Sequence, residues 1–163
     1  MANRYLLPIY KMLFNQPFSY SDFEQRMEMQ KGVYLLQNMG VPVGDYGFRW
    51  YLHGPYSQSL QDDMFYEDGK PTANLSLSIE NANSITRLHD VINSTKRGEY
   101  SLSAWAECLA SLLYLRNNIM SSSASEEDVV NELEKRKTHL NRRDINLSAY
   151  RELEGLFPAY GRN

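Results

Sequence analysis

The sequence predicts a mainly α-helical fold: one compact domain of about seven helices with a small two-stranded β element, spanning residues 1–158, and a loose tail at 159–163. Three observations carry this. Apolar residues recur at helical spacing through most of the chain. Gly, Pro and Asn stops and Ser or Asp starts punctuate those stretches. Only two short segments, around 48–52 and 73–79, read as extended.

Taken in order, Leu6, Tyr10, Leu13 and Phe14 make one helix face over residues 3–14, with Pro8 early and Asn15-Gln16-Pro17 as the stop. Ser19 or Ser21 is positioned to cap a second helix from about Asp22 to Met39. It carries two apolar strips, Phe23, Met27 and Tyr34 on one and Met29, Val33 and Leu36 on the other. Gly32 lies in its middle, where it costs about 1 kcal/mol relative to Ala, which suggests close approach of another backbone. Gly40 is its C-terminal glycine. Phe48 to Leu52 reads as a strand broken by Gly54-Pro55, and Pro55 or Ser57 opens a third helix through Leu60 and Met64. Leu75, Leu77 and Ile79 alternate with polar residues, so this segment is expected to pair with 48–52.

Asn81 or Asn83 starts a fourth helix facing inward through Ile85, Leu88, Val91 and Ile92. The fifth, opened by Ser101 or Ser103, is apolar on most sides and is predicted to be the buried central helix. Ser125 to Asp128 forms a capping-box start for the sixth, with basic residues in its last turn. Asn141 or Asn146 begins the last, which Pro158 stops.

Composition narrows function less than fold. The 163 residues carry a formal net charge of -3 and 42% hydrophobic residues. A weakly acidic chain needs a local basic patch to bind nucleic acid. No apolar run reaches membrane-spanning length, the N-terminus lacks a secretory-signal pattern, and the lone Cys108 allows no internal disulfide. A cytoplasmic location is the expectation, with Cys108 a small core residue.

No catalytic set is apparent. His53, His89 and His139 stand at no metal-ligand spacing, and His89 and Asp90 are neighbours whose side chains diverge on a helix. The sequence therefore predicts no metal and no cofactor, and His53 is read as a turn residue bonded to backbone. Ser57 lacks a nucleophile elbow, and no phosphate-cradling glycine motif occurs. Asp62, Asp63, Glu67 and Asp68 read as a solvated helix end. Two sets stand out as candidate surfaces. Arg49, Tyr51, His53 and Tyr56 are polar-tipped groups at a chain break and are candidate partner-binding residues. Lys135, Arg136, Lys137, Arg142 and Arg143 are candidate phosphate contacts, or cations placed at a helix C-terminus.

Two blocks, Met29-Gln30-Lys31-Gly32-Val33-Tyr34-Leu35-Leu36 and Trp50-Tyr51-Leu52-His53-Gly54-Pro55-Tyr56-Ser57-Gln58-Ser59-Leu60, resemble the YwgA-like prokaryotic proteins. More distantly the chain is similar to the Panacea (SocA-like) antitoxin domain. Met29 departs from the usual Leu, and residues 74–80 match nothing in the pattern. The resemblance implies a helical domain and, on the antitoxin side, binding of a partner protein, often within mobile genetic elements. The expected function is thus a non-enzymatic protein-interaction module: an antitoxin-like neutraliser or a component of a phage or defence system, binding a toxin or nuclease component. The alternatives are a winged-helix-like DNA-binding regulator and a phage-encoded inhibitor of a host nuclease complex.

Overall fold

The computed structural model describes residues 3–158; the predicted C-terminal tail lies outside them. The described residues form seven α-helices: α1 Leu6–Phe14, α2 Phe23–Asn38, α3 Gln58–Glu67, α4 Ile79–Ile92, α5 Leu102–Tyr114, α6 Glu126–Arg136 and α7 Arg143–Leu156. Two three-residue strands, β1 Arg49–Tyr51 and β2 Gly54–Tyr56, lie between α2 and α3. A 3-10 turn, Thr95–Arg97, follows α4, and a π turn, Leu115–Ile119, continues α5. No helix among the described residues is long and apolar enough to cross a membrane.

The core is built on the crossing of α2 and α5. Every residue of α2 from Glu28 to Leu36 is buried, as is α5 from Trp105 to Leu113. The two apolar strips expected on α2 thus merge into a belt around the helix. Phe23, placed on one strip, lies outside that belt and is exposed. Gly32 makes room for side chains of α1: a Cβ there would sit 3.0 Å from Leu13 Cδ1 and 3.2 Å from Phe14 Cε2. Burying α2 all round also encloses polar groups, which must be satisfied. Glu28 accepts from Tyr10 Oη at 2.6 Å and from Ser103 Oγ at 2.7 Å, tying α1, α2 and α5 together. Burial raises its carboxyl above the usual range.

Helix starts follow local chemistry. Asp22, rather than Ser19 or Ser21, caps α2 by accepting from the Gln25 amide. Ser78 caps α4 ahead of both expected asparagines, which leaves Ile79 in the exposed first turn. Ser101 caps α5, and Ser125 and Asp128 form the reciprocal capping box of α6. Asn146 does not begin α7. It is a buried hub, donating to Leu140 O and accepting from Tyr100 Oη at 2.7 Å. Cys108 is buried in α5, and burial pushes its thiol up.

The β element differs from its expected pairing. β1 pairs antiparallel with β2, in register Arg49 with Tyr56, Trp50 with Pro55 and Tyr51 with Gly54. Gly54-Pro55 therefore lies within the second strand of a hairpin. Residues 71–78 form no regular element and pair with no strand, with Leu75 and Leu77 half-buried against the core. Their alternation is real burial periodicity without a ladder.

Ser57 caps α3, accepting from the Leu60 amide at 3.2 Å. Ser57→Ala removes this acceptor at a buried position and should lower stability by about 1 kcal/mol in urea denaturation. The acids of α3 are not simply solvated: Tyr46 Oη donates to Asp63 Oδ2 at 2.6 Å, and Glu67 is buried with Lys70 Nζ 3.3 Å away.

Candidate functional site

The hairpin packs on α2 and α5, and its tip is held from below by side chains. Lys31 of α2 is 1% exposed and donates through Nζ to Pro55 O at 2.8 Å. Gln30 bonds both backbone groups of Ser57, accepting from its amide and donating to its carbonyl at 2.9 Å each. Lys137, just beyond α6, donates to Tyr51 O at 2.9 Å and also to Leu52 O. The short strands leave several carbonyls without ladder partners, and buried donors supply them instead. Burial lowers Lys31 to about 7 and lowers Lys137 in the same direction, with the nearby Glu107 carboxylate partly opposing both.

Glu107 lies on α5 beneath the tip and is 2% exposed. His139, in the loop between α6 and α7, places Nε2 3.0 Å from both of its carboxylate oxygens. His53, at the hairpin turn, places Nδ1 3.7 Å from Oε1. His53 Nδ1 is itself buried and has no hydrogen-bond partner. The histidine expected to bond backbone instead faces a carboxylate.

Above this arrangement, Phe23, Arg26, Lys31, Tyr51, His53 and Tyr56 are among the residues lining a pocket of about 240 Å³. Its rim continues as an aromatic surface. Phe23 meets His53 edge-on at 5.5 Å, and the Tyr51 and Tyr56 rings lie tilted against each other at 5.3 Å. Arg26 bridges the Phe23 and Tyr20 rings, and Tyr20 meets Phe65 at 5.3 Å. Leu52 and Phe65 are each 69% exposed.

The four candidate partner-binding residues come together here. Tyr51, His53 and Tyr56 line the pocket, while Arg49, Tyr51 and Tyr56 share the adjoining groove on the outer face of the hairpin. Spacing did not point to Phe23, Leu52, Lys31 and Glu107. Charged residues inside apolar helical runs were the available signal for the last two.

The basic set is dispersed. Lys137 is buried under the hairpin and is not a surface cation. Arg136 bonds Glu132 at 2.6 Å and lies over the Trp50 ring. Arg142 pairs with Asp144 and Glu99, and Arg143 with Glu134 at 2.9 Å. Lys135 is exposed on α6. Acids therefore accompany most of the cations proposed for phosphate. Elsewhere, His89 Nδ1 lies 3.1 Å from Asp90 Oδ1, so these neighbours do meet.

Comparison with protein-family models, curated proteins and solved structures returns no match.

Proposed function

We propose that this protein is a non-enzymatic interaction module that binds a partner protein through the hairpin tip and the adjoining start of α2. The observation that carries the reading is the aromatic surface formed by the exposed Phe23, Tyr51, Leu52 and Phe65 and the half-buried Tyr20 and Tyr56, with Arg26 set into it. Exposed apolar patches of this kind mark interaction sites, and Tyr, Trp and Arg dominate binding hot spots.

The buried supports explain how such a surface would work. Lys31, Gln30 and Lys137 fix the backbone at residues 51–57, so its side chains project from a rigid tip. A partner then avoids much of the entropy cost of ordering that loop. The resemblance to antitoxin-like domains agrees with this use, and a toxin or nuclease component is the partner class it favours. The DNA-binding alternative draws less support, because acids partner most of the cations near α6 and α7.

Leu52→Asp tests the reading. Leu52 is exposed, so stability should change by less than about 0.5 kcal/mol. Tagged wild-type protein should retain a partner from its native host at moderate salt, and the variant should lose it. Equal retention by both proteins would remove this surface from the interaction. Duplex DNA binding that weakens steeply with salt would favour the alternative.

A further inference from the structure

The geometry points to a divalent transition-metal site formed by His53 Nδ1, Glu107 and His139 Nε2, of the zinc, cobalt or nickel class. Among the described residues, these three bring their ligand atoms within 4.8 Å of one another. They come from three separate elements: the hairpin turn, α5 and the α6–α7 loop.

The distances suit a small tetrahedral ion. Bonds of ~2.0–2.2 Å place neighbouring donor atoms roughly 3.3 Å apart. Here His139 Nε2 stands 3.0 Å and His53 Nδ1 3.7 Å from Glu107 Oε1, and the three ligand atoms lie within 4.8 Å of one another, so side-chain adjustment closes the set around one ion. His53 Nδ1 is the second observation. It is a buried nitrogen without a hydrogen-bond partner, facing a carboxylate too distant for a good hydrogen bond. A ligated ion would satisfy it.

Ligand chemistry selects the ion. Two imidazoles and one carboxylate suit zinc and its neighbours, whereas magnesium and calcium need mostly oxygen donors. The local charge is the opposing factor. Lys31 and Lys137 lie near Glu107, with their ammonium groups committed to backbone carbonyls. Such neighbours weaken a site that relies on charge alone, and less so one built on metal–nitrogen bonds. Both histidine side chains are about half-exposed, so the fourth position opens outward beside the aromatic surface. A bound ion would fasten the hairpin tip to α5 and to the α6–α7 loop.

The test is independent of any partner. Chelator-treated protein is titrated with zinc chloride by calorimetry and with cobalt chloride by visible absorption, with circular dichroism confirming that each variant is folded. The expected result is one ion per chain, with the intensified d–d bands of four-coordinate cobalt. His53→Ala and His139→Ala, both of half-exposed side chains, should each weaken binding at least about tenfold, and His89→Ala should leave it unchanged. No binding by the wild type, or binding that survives in the His53→Ala/His139→Ala double variant, would overturn the assignment.

Discussion

Gly54→Ala is expected to destabilise the fold by about 3 kcal/mol and to lift the hairpin from α5. Two separate effects add at this residue. Its φ of +88° lies where an L side chain is strained, a cost of roughly 1–2 kcal/mol. A Cβ there would also stand 2.2 Å from Ser111 Oγ, so something must move. Ser111 is fully buried on α5 and its hydroxyl has no hydrogen-bond partner, so Ser111→Ala should itself be close to neutral. It also removes the clashing atom, leaving the Ser111 Cβ at an ordinary 3.5 Å. In the Ser111→Ala background, Gly54→Ala should therefore cost only the conformational part, about 1–2 kcal/mol. A double-mutant cycle by urea denaturation measures the difference. Equal costs in the two backgrounds would mean that the hairpin does not rest on Ser111.

How much of this was legible in the chain follows from which signals are local. The helices were, because a 3.6-residue apolar period and a capping side chain are written within a few residues of each other. Ser57, Ser101 and the Ser125–Asp128 box cap where their sequence context indicated. The antiparallel partner of β1 was not. Gly-Pro-Tyr has weak strand character, and Pro55 cannot donate to a ladder. The pairing stands because Lys31, Gln30 and Lys137 satisfy the backbone from other elements. The alternating 73–79 segment offered the stronger strand pattern and has no ladder, because its alternation reflects one-sided packing on helices.

The candidate site divides in the same way. Arg49, Tyr51, His53 and Tyr56 were visible because they lie close together in the chain around the Gly54-Pro55 break. Glu107 and His139 were not, because only the fold brings them to His53. One cue was present. An acid between Ala106 and Cys108, and a lysine within the buried stretch of α2, each conflict with their apolar surroundings. Conflicts of that kind tend to fall at functional or strained sites. The basic run near α6 misled for the opposite reason: contiguous charge in sequence gives no account of the acids that fold back to meet it.

Lys31 should leave a signature in the pH dependence of stability. Burial holds its ammonium at about 7 in the folded chain, against the ordinary lysine value of 10.5. Between those values the unfolded chain carries a proton there that the folded chain has released. Stability rises with pH wherever the unfolded state binds more protons. The gain approaches 1.36 kcal/mol per pH unit, or about 2–3 kcal/mol between pH 7 and pH 9. Lys137, also lowered, acts in the same direction. Cys108 opposes them at the upper end: its thiol is raised by burial, so the unfolded chain releases that proton first and offsets part of the lysine gain above about pH 9. Comparison with Lys31→Met isolates the lysine. That variant loses the donor to Pro55 O, which lowers stability at every pH. The distinguishing quantity is the slope. With chelator present, wild-type stability should climb from pH 7 to 9 by about 2–3 kcal/mol more than that of the variant. Parallel curves would show that Lys31 keeps its proton on folding, and that a fully charged ammonium is what fastens Pro55 and the hairpin tip.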